Sequence, residues 1–421
     1  MKIFKFGGAS VSDAKSIINL INIVKSYASE PIVVVVSAMG KTTRKLEQLA
    51  NNYFNNVGCE ETLHEIIEKH KTLIAELFED TKSTIYTDFE LLVSQLTDKL
   101  KTAPSSNFDY EFDQIVAYGE LFSTTIINAY INKHSLKCKL LDVRDSIKTD
   151  STYRDAKINW YLTEKQIKQN FIFDDARILL TQGFIASNER GNTTTLGIEG
   201  SDFSAAIIAY ALNATEVVVW KDVPGFFNSD PKLFDDVLKL NAVSFHEAVE
   251  LAYFGAKIIH PKTIKPLQNK NIPLYVKSFK EPEASGTLIN SSTENKCGLD
   301  PKVPVFITKN NQVLISIAPF DFSFIAEDNL SAIFALLAKY RVKVNLMQNS
   351  AISFSICVDN KQGRIQSLIS ELNNNYKVLY NEGLTLITIR HYNQLTIDEL
   401  TNNRKVYVQQ KSRHTVRFIV K

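Results

Sequence analysis

The sequence is poor in cysteine, and it has no long apolar run and no large excess of charge of one sign. Its four cysteines, Cys59, Cys138, Cys297 and Cys357, lie far apart without a Cys-x-x-Cys pair, which argues against a disulfide framework or a metal site. The longest aliphatic run, Ile32–Val36, is much shorter than a membrane span, and no apolar signal region precedes it. A net charge of +2 gives no electrostatic reason to expect nucleic acid or an anionic membrane as a partner. We therefore expect a cytoplasmic protein that binds neither.

Strands and helices alternate over roughly the first 300 of the 421 residues. Apolar runs predict strands at Ile32–Val36, Leu136–Val143, Arg177–Thr181, Glu216–Trp220 and Pro273–Val276, with helices between them. The first of these runs is apolar at every position, as in a strand buried on both faces of a parallel sheet. This pattern predicts a doubly wound α/β layer structure, in which ligands bind at the C-terminal ends of the strands.

The composition changes after residues 281–304, a segment rich in Pro, Ser, Asn and Gly. Beyond it we predict short strands at Val303–Thr308, Val313–Ile317, Ile352–Val358, Leu384–Ile389, Lys405–Gln409 and Thr415–Val420, and helices at Leu330–Lys339 and Arg364–Asn373. The first part fits the β-α-β-β-α-β order of a ferredoxin-like unit, whereas the last part has room for only about two helical turns and is truncated. We predict a first domain over residues 1–290 with a helical insertion at 52–105, a linker at 291–302 and a second region at 303–421.

The first turn of the chain, Lys5-Phe6-Gly7-Gly8, lies where a predicted strand meets a predicted helix. Adjacent glycines let a ligand approach the backbone closely, and N–H groups beside a helix N-terminus favour an anion such as phosphate. Lys5 adds a positive charge at the same place. Ordinary turns have the same pattern, so this segment alone leaves both interpretations open.

Two segments carry polar groups that suit a small acceptor. Ser37 and Thr43 follow the strand Ile32–Val36, where their hydroxyls would hold a carboxylate or phosphate, or simply cap a helix. Glu120 lies on or close to the apolar face of a predicted helix, where an unpaired carboxylate is costly. A cationic partner such as an amine is one interpretation of Glu120, and a solvated glutamate is the other.

Two further segments suit a phosphate. Residues 193–202 form a loop rich in hydroxyls and glycine that leads into a helix, which predicts a second anion site. Asp222 follows the strand Glu216–Trp220, a place that suits the positioning of a phosphoryl group or Mg²⁺, and Lys257 adds a cation. Since phosphoryl transfer depends mainly on positioning and cations, these groups together fit a site for phosphoryl transfer. A carboxylate acceptor is ionised at neutral pH and would need no catalytic base.

Taken in order, these segments resemble those of the aspartokinases in the amino acid kinase family. The matching segments are Lys5-Phe6-Gly7-Gly8, Val36-Ser37-Ala38, Gly119-Glu120, Gln182-Gly183-Phe184-Ile185, Thr193–Gly197, Gly200-Ser201-Asp202, Asp222-Val223-Pro224-Gly225 and Phe254-Gly255-Ala256-Lys257-Ile258-Ile259-His260-Pro261. The last is particularly characteristic of aspartokinases. The resemblance implies an α/β fold class: a three-layer, mostly parallel-sheet kinase domain followed by ferredoxin-like α+β ACT units, the second of them truncated.

The resemblance also implies a reaction, the ATP-dependent phosphorylation of the side-chain carboxylate of L-aspartate in lysine, threonine and methionine synthesis. It implies catalytic roles for Lys5, Asp222 and Lys257, aspartate binding by Ser37, Thr43, Glu120, Ser201 and Asp202, and ATP binding by Lys5, Gly7, Gly8, Lys221, Asp222, Phe227, Lys232 and Lys257. Mg²⁺ would arrive bound to ATP and not on protein side chains. ACT units commonly pair, which implies a homodimer.

One departure from the family pattern keeps other functions open. The family loop usually carries an arginine directly after Leu-Gly, where it binds a substrate carboxylate, but this chain has Ile198. Losing a charge-assisted hydrogen bond costs about 1.5–3 kcal/mol, or roughly 10–150-fold in affinity. The alternatives are a kinase of the same fold acting on another small carboxylate or amino acid, and a catalytically weak regulatory partner or amino-acid sensor.

Overall fold

The computed structural model describes residues 1–256, 258–293, 298–300, 302–321, 323–361 and 363–421. Lys257, which the sequence predicts to be catalytic, and Cys297 lie outside the described residues. The chain divides into two compact units. The first comprises Met1–Phe226, Lys239–Ala252 and Lys257–Pro301, and the second comprises Phe227–Leu238, Tyr253–Ala256 and Lys302–Lys421.

The strands up to residue 300 belong mostly to one large sheet. They are β1 (Lys2–Phe6), β2 (Ile32–Val36), β3 (Cys138–Leu141), β4 (Lys148–Thr149), β5 (Ile178–Gln182), β6 (Ile185–Asn188), β7 (Thr193–Thr195), β8 (Glu216–Lys221), β9 (Phe226–Phe227), β10 (Lys239–Leu240), β11 (Ala242–Ser244), β12 (Leu274–Ser278), β13 (Thr287–Asn290) and β14 (Leu299–Asp300). Nine of them pair in the order β14-β11-β13-β12-β8-β1-β2-β5-β3, and β4, β6 and β7 form a small sheet of their own.

The centre of the large sheet is parallel, as the sequence predicts. Strand β1 pairs in parallel with β2 on one side and β8 on the other, and β2 pairs in parallel with β5. Every residue of β2 is buried, because helices cover both faces of the sheet. The C-terminal ends of four strands therefore meet at one edge.

Helices connect these strands. They are α1 (Ala14–Ser26), α2 (Thr42–Phe54), α3 (Glu60–Leu77), α4 (Thr84–Lys101), α5 (Phe108–Val116), α6 (Tyr118–Lys133), α7 (Trp160–Asn170), α8 (Gly200–Leu212), α9 (Phe245–Phe254) and α10 (Pro261–Asn269). Helix α1 begins with a side-chain cap, in which Asp13 accepts a hydrogen bond from Ser16 N at 2.8 Å. One face of the helix is buried through Ile17, Leu20 and Val24. Helices α3 and α4 share the core of the sheet through Ile66 and Phe89.

The second unit contains one antiparallel sheet. Its elements beyond residue 302 are β15 (Val305–Ala318), α11 (Glu327–Lys339), β16 (Val344–Asn349), β17 (Phe354–Asp359), α12 (Arg364–Leu372), β18 (Lys377–Arg390), α13 (Gln394–Thr401), β19 (Val406–Lys411) and β20 (Thr415–Val420). The strand order is β16-β17-β15-β18-β20-β19. Two helices follow the first strand in β-α-β-β-α-β order, and after β18 the part of the chain that the structure describes adds a single helix, α13, and the strands β19 and β20. Both features agree with the predicted ferredoxin-like units.

Two long strands make this sheet continuous, which the sequence analysis did not predict. The strands predicted at Val303–Thr308 and Val313–Ile317 are parts of the single strand β15. The polar residues between them form an irregularity in its pairing with β18, between Lys309 and Gln312, and the strand continues past it. Strand β16 was also missed. Three of its six residues are exposed, and its polar residues interrupt the apolar pattern that would indicate a strand.

No described helix is both long enough and apolar enough to cross a membrane.

Candidate active site

The predicted phosphate-binding turn lies at the edge of the sheet where β1, β2 and β8 end. Lys5 is level with Val35 of β2 and Val219 of β8. Ser37, the residue after β2, donates its backbone N–H to Phe6 O at 3.1 Å. Three separate segments of the sequence are therefore held side by side by the parallel register.

Asp202 joins the two lysines of this edge. It lies in the first turn of α8 and is buried, with one carboxylate oxygen 2.6 Å from Lys5 Nζ and the other 3.2 Å from Lys221 Nζ. The side chains of Lys5 and Lys221 are 9% and 19% exposed, so water screens the charges little. The result is a buried cluster of two cations and one anion.

The Asp202 carboxyl carries a negative charge at neutral pH. Burial alone would raise the pKa of the Asp202 carboxyl, but Lys5 and Lys221 outweigh it and hold that pKa below its ordinary value. Asp202 therefore stays ionised and fixes both ammonium groups. Two preorganised cations at the C-terminal edge of a parallel sheet suit the oxygens of a transferring phosphoryl group.

The Gly7-Gly8 turn packs tightly against the segment after β2. A Cβ atom on Gly8 would lie 2.8 Å from Ala38 O, closer than real Cβ contacts, and 3.1 Å from Gly40 O. Gly40 N also donates to Gly8 O at 2.9 Å. Gly8 is thus required by this close approach, and the contact joins the predicted phosphate turn to the predicted substrate segment.

Glu120 is fully buried beside the same segment. Its Oε1 accepts a hydrogen bond from Ala38 N at 3.2 Å, while Oε2 has no hydrogen-bond partner among the described residues. Burial raises the pKa of Glu120 to about 8, and the bond from Ala38 and the charge of Lys5 only partly oppose this. A buried carboxylate oxygen without a partner is costly, and a cationic ligand would satisfy it. The sequence-based interpretation of an amine site is thus compatible with the geometry.

The comparisons with known proteins agree with this geometry. The family model described as "Amino acid kinase family" matches residues 1–278. The chain is 31% identical over 395 residues to lysine-sensitive aspartokinase 3 of Escherichia coli, with 92% of this chain and 86% of that protein covered. The chain belongs to the amino acid kinase family, and within it to the aspartokinases. A second relative, chloroplastic aspartokinase 1 of Arabidopsis thaliana, is 31% identical over 372 residues, and the chain spans 63% of its length.

A solved structure supports the same assignment over the whole chain. The crystal structure of E. coli aspartokinase III in complex with aspartate and ADP superposes with a TM-score of 0.81 at 27% identity, covering 100% of this chain and 96% of that one. The predicted family and fold class are confirmed. The two alternative functions, another acceptor or a regulatory partner, are not favoured.

The remaining predicted site residues are distributed over both units. Ser37 and Thr43 are half-buried, and Ser201 is buried and adjacent in sequence to Asp202. Asp222 is exposed directly after β8. Phe227 and Lys232 belong to the second unit, where Lys232 is exposed. The described residues contain no group of three or more His, Cys, Asp or Glu side chains that could hold a metal ion.

Sequence reasoning missed Lys69, an exposed residue of α3 whose ammonium group reaches the segment after β2. Its Nζ donates to Met39 O at 2.9 Å and to Thr42 Oγ1 at 3.2 Å, so it supports the segment that carries Thr43. Burial lowers its pKa. No local pattern around Lys69 indicates this contact, because its partners lie some thirty residues earlier in the chain.

Proposed function

We propose that the edge formed by β1, β2 and β8 is where the chain transfers the γ-phosphoryl group of ATP to aspartate. The reaction is the ATP-dependent phosphorylation of the L-aspartate side chain to 4-phospho-L-aspartate, the first step of lysine, threonine and methionine synthesis. One observation carries the proposal: the buried Lys5–Asp202–Lys221 cluster lies at the same edge as Glu120 with its unpartnered oxygen.

On the phosphate side, Lys5 and Lys221 would stabilise the charge that spreads over the phosphoryl oxygens. Asp202 would hold both Nζ atoms in place before the substrates bind, so little reorganisation is needed during the reaction. The Gly7-Gly8 turn would bring backbone N–H groups close to the same oxygens.

On the acceptor side, Glu120 would bind the α-amine of aspartate, and Ser37, Thr43 and Ser201 would hydrogen-bond to its carboxylates. The side-chain carboxylate of aspartate is ionised at neutral pH and is itself the nucleophile. No protein group therefore has to remove a proton, in contrast to kinases with a hydroxyl acceptor.

For the nucleotide, we propose contacts from Asp222, Phe227, Lys232 and Lys257, in addition to the lysines of the phosphate side. Mg²⁺ would come as a complex with ATP and would neutralise phosphate charge when bound.

We propose that residues 1–290 are the catalytic domain, residues 291–302 the linker, and residues 303–421 paired ACT-like units that form a homodimer. The second unit exposes the rings of Phe320, Phe324 and Phe334, which are 64%, 74% and 42% accessible. A second copy would cover this apolar surface. We expect analytical ultracentrifugation to give about twice the 47.6 kDa chain mass, and a monomer at micromolar concentration would contradict the homodimer.

We also propose a cytoplasmic location. Cys59, Cys138 and Cys357 are free thiols, as expected in a reducing compartment.

Replacing Ile198 with arginine should lower the KM for aspartate. Ile198 is 78% exposed in the loop between β7 and α8, so a longer side chain there has room. A guanidinium would form a charge-assisted bond with a substrate carboxylate, which predicts roughly a tenfold lower KM. Initial rates at varied aspartate test this, with Ile198→Met as a control for side-chain length. An unchanged or raised KM would count against the aspartate assignment of this loop.

The proposed function is tested by the choice of acceptor. ADP release would be measured with ATP and Mg²⁺ and with aspartate, asparagine, glutamate, N-acetylglutamate or succinate as acceptor. We expect kcat/KM to be highest for aspartate. Succinate lacks the amine that Glu120 would bind, so its kcat/KM should be much lower. Equal rates with succinate and aspartate would contradict the proposed binding of the amine by Glu120.

A further inference from the structure

We propose that Asp113 is a positioning residue, which fixes the loop between β7 and α8 against the helices that form the acceptor side of the site. The effect that we expect on the KM for aspartate rests on the proposed function. Asp113 lies in α5 and is fully buried. Helix α6 follows after one residue and carries Glu120 in its first turn.

Three hydrogen bonds tie Asp113 to two other segments of the first unit. Its Oδ1 accepts from Thr195 Oγ1 at 2.8 Å, and its Oδ2 accepts from Thr195 N at 2.8 Å and from Arg154 N at 3.0 Å. Both carboxylate oxygens are therefore used. We call Asp113, Thr195 and Arg154 the Asp113 clamp.

The neighbouring residue reinforces the same attachment. Gln114 donates from Nε2 to Thr193 O at 2.8 Å and accepts from Thr193 N at 3.2 Å. Two consecutive residues of α5 thus hold both ends of the short strand β7. A helix that only needed to bury its apolar face would not require this set of polar contacts.

The loop that the clamp holds carries the polar groups of the site. Thr195 O accepts from Ala156 N at 2.9 Å, and the chain then turns through Gly197, which has φ +76°. A Cβ atom on Gly197 would lie 2.7 Å from Asp155 Oδ1, so this turn is packed against the segment that includes Arg154. Ile198 and Asp202 follow. A shift of Thr195 would therefore displace the acceptor loop, whereas Asp202 lies beyond it in the first turn of α8.

The energetics of Asp113 argue against a purely structural role. Burial raises the pKa of its carboxyl to about 6, although the hydrogen bonds from Arg154 and Thr195 and the Arg154 charge oppose this. Arg154 also pairs with Asp109 at 3.2 Å, which reduces the charge available to Asp113. Keeping this carboxylate ionised at neutral pH thus costs folding stability, and a neutral amide of the same shape would avoid that cost.

The test compares Asp113→Ala with Asp113→Asn. Alanine removes all three hydrogen bonds, and we expect roughly a tenfold rise in the KM for aspartate with the KM for ATP within about twofold of wild type. In the asparagine variant, the amide oxygen can accept from both N–H groups while Nδ2 donates to Thr195 Oγ1. It should return the KM for aspartate to within about threefold of wild type and keep or raise Tm.

Three further measurements make the result decisive. Thr195→Val removes one bond of the clamp without changing shape, and it should raise the KM for aspartate by a smaller factor in the same direction. Asp98→Ala removes an exposed carboxylate of α4 that makes no contact with the Asp113 clamp, and as the control it should leave that KM unchanged. Hydrogen exchange should be faster for residues 193–202 in Asp113→Ala, with residues 42–54 of α2 unaffected.

Several outcomes would overturn the proposal. They are an unchanged KM for aspartate in Asp113→Ala, equal rises in the KM for both substrates, no recovery in Asp113→Asn, or exchange that increases evenly over the first unit. If the wild-type enzyme does not phosphorylate aspartate, the proposed function fails. The exchange of residues 193–202 still decides whether Asp113 fixes the loop.

Discussion

Replacing Lys5 with methionine is expected to lower kcat by about 10²–10³-fold, because it removes a preorganised cation from the position where phosphoryl charge develops. The expected loss is large because Lys5 is buried and lies 2.6 Å from Asp202, so water cannot replace its charge. The KM for aspartate should change much less. Steady-state rates with ATP, Mg²⁺ and aspartate measure both constants.

Two controls separate this effect from damage to the fold. Lys2→Met changes a lysine at the other end of β1, whose Nζ is 3.4 Å from Glu216 in a partly exposed pair, and it should keep kcat within about twofold. Lys5→Arg keeps the charge and should retain more activity than Lys5→Met. Tm of each variant shows whether the protein is folded. A folded Lys5→Met protein with kcat within tenfold of wild type would contradict the assignment of the phosphate side.

Replacing Glu120 with glutamine is expected to raise the KM for aspartate by roughly 10–150-fold, because the substrate amine loses its charged partner.

The same substitution is expected to stabilise the folded protein. The pKa of Glu120 is raised from 4.5 to about 8, so the folded state holds its proton more tightly than the unfolded state. The stability contributed by the neutral form is present below pH 4.5 and is lost as pH rises through about 8. Glu120→Gln should therefore have the higher Tm at pH 8.5.

The same carboxyl predicts a pH dependence of substrate binding. Below about pH 8 Glu120 is mostly neutral in the empty site and must ionise to pair with an ammonium group. The KM for aspartate of the wild-type enzyme should thus fall as pH rises from 6.5 to 8, by up to about tenfold per pH unit, and Glu120→Gln should lack this slope. If Glu120→Gln instead had a lower Tm than wild type at pH 8.5 and an unchanged KM for aspartate, Glu120 would be a structural residue.

Much of the site was accessible from the sequence, because its position follows from local patterns. The apolar run Ile32–Val36 predicts a buried parallel strand, and any such strand places the residues after it at the ligand edge. For Glu120 the place on an apolar helix face left two interpretations, a cationic partner or a solvated glutamate, and its burial in the structure argues against the second. Periodicity alone was sufficient to place both segments.

The contacts that complete the site could not be predicted in this way, because they join residues far apart in the chain. The hydrogen bonds of Asp113 reach Thr195 across 82 residues, and no spacing rule connects the two positions. The pairing of Lys221 with Asp202 depends on the direction that the Lys221 side chain takes at the end of β8. In the second unit, the polar residues near Lys309 favour a break between two strands. Strand β15 is nevertheless continuous, because it pairs with β18 on one side and β17 on the other.

The central claim is that the side-chain carboxylate of aspartate accepts a phosphoryl group at the Lys5–Asp202–Lys221 edge. Its most direct test is to incubate the purified enzyme with ATP, Mg²⁺, aspartate and hydroxylamine, and to identify the trapped product by mass spectrometry. The account predicts the side-chain hydroxamate of aspartate with the wild-type enzyme, and little of it with Lys5→Met. No hydroxamate, a hydroxamate of the α-carboxylate, or equal yields from both proteins would contradict it.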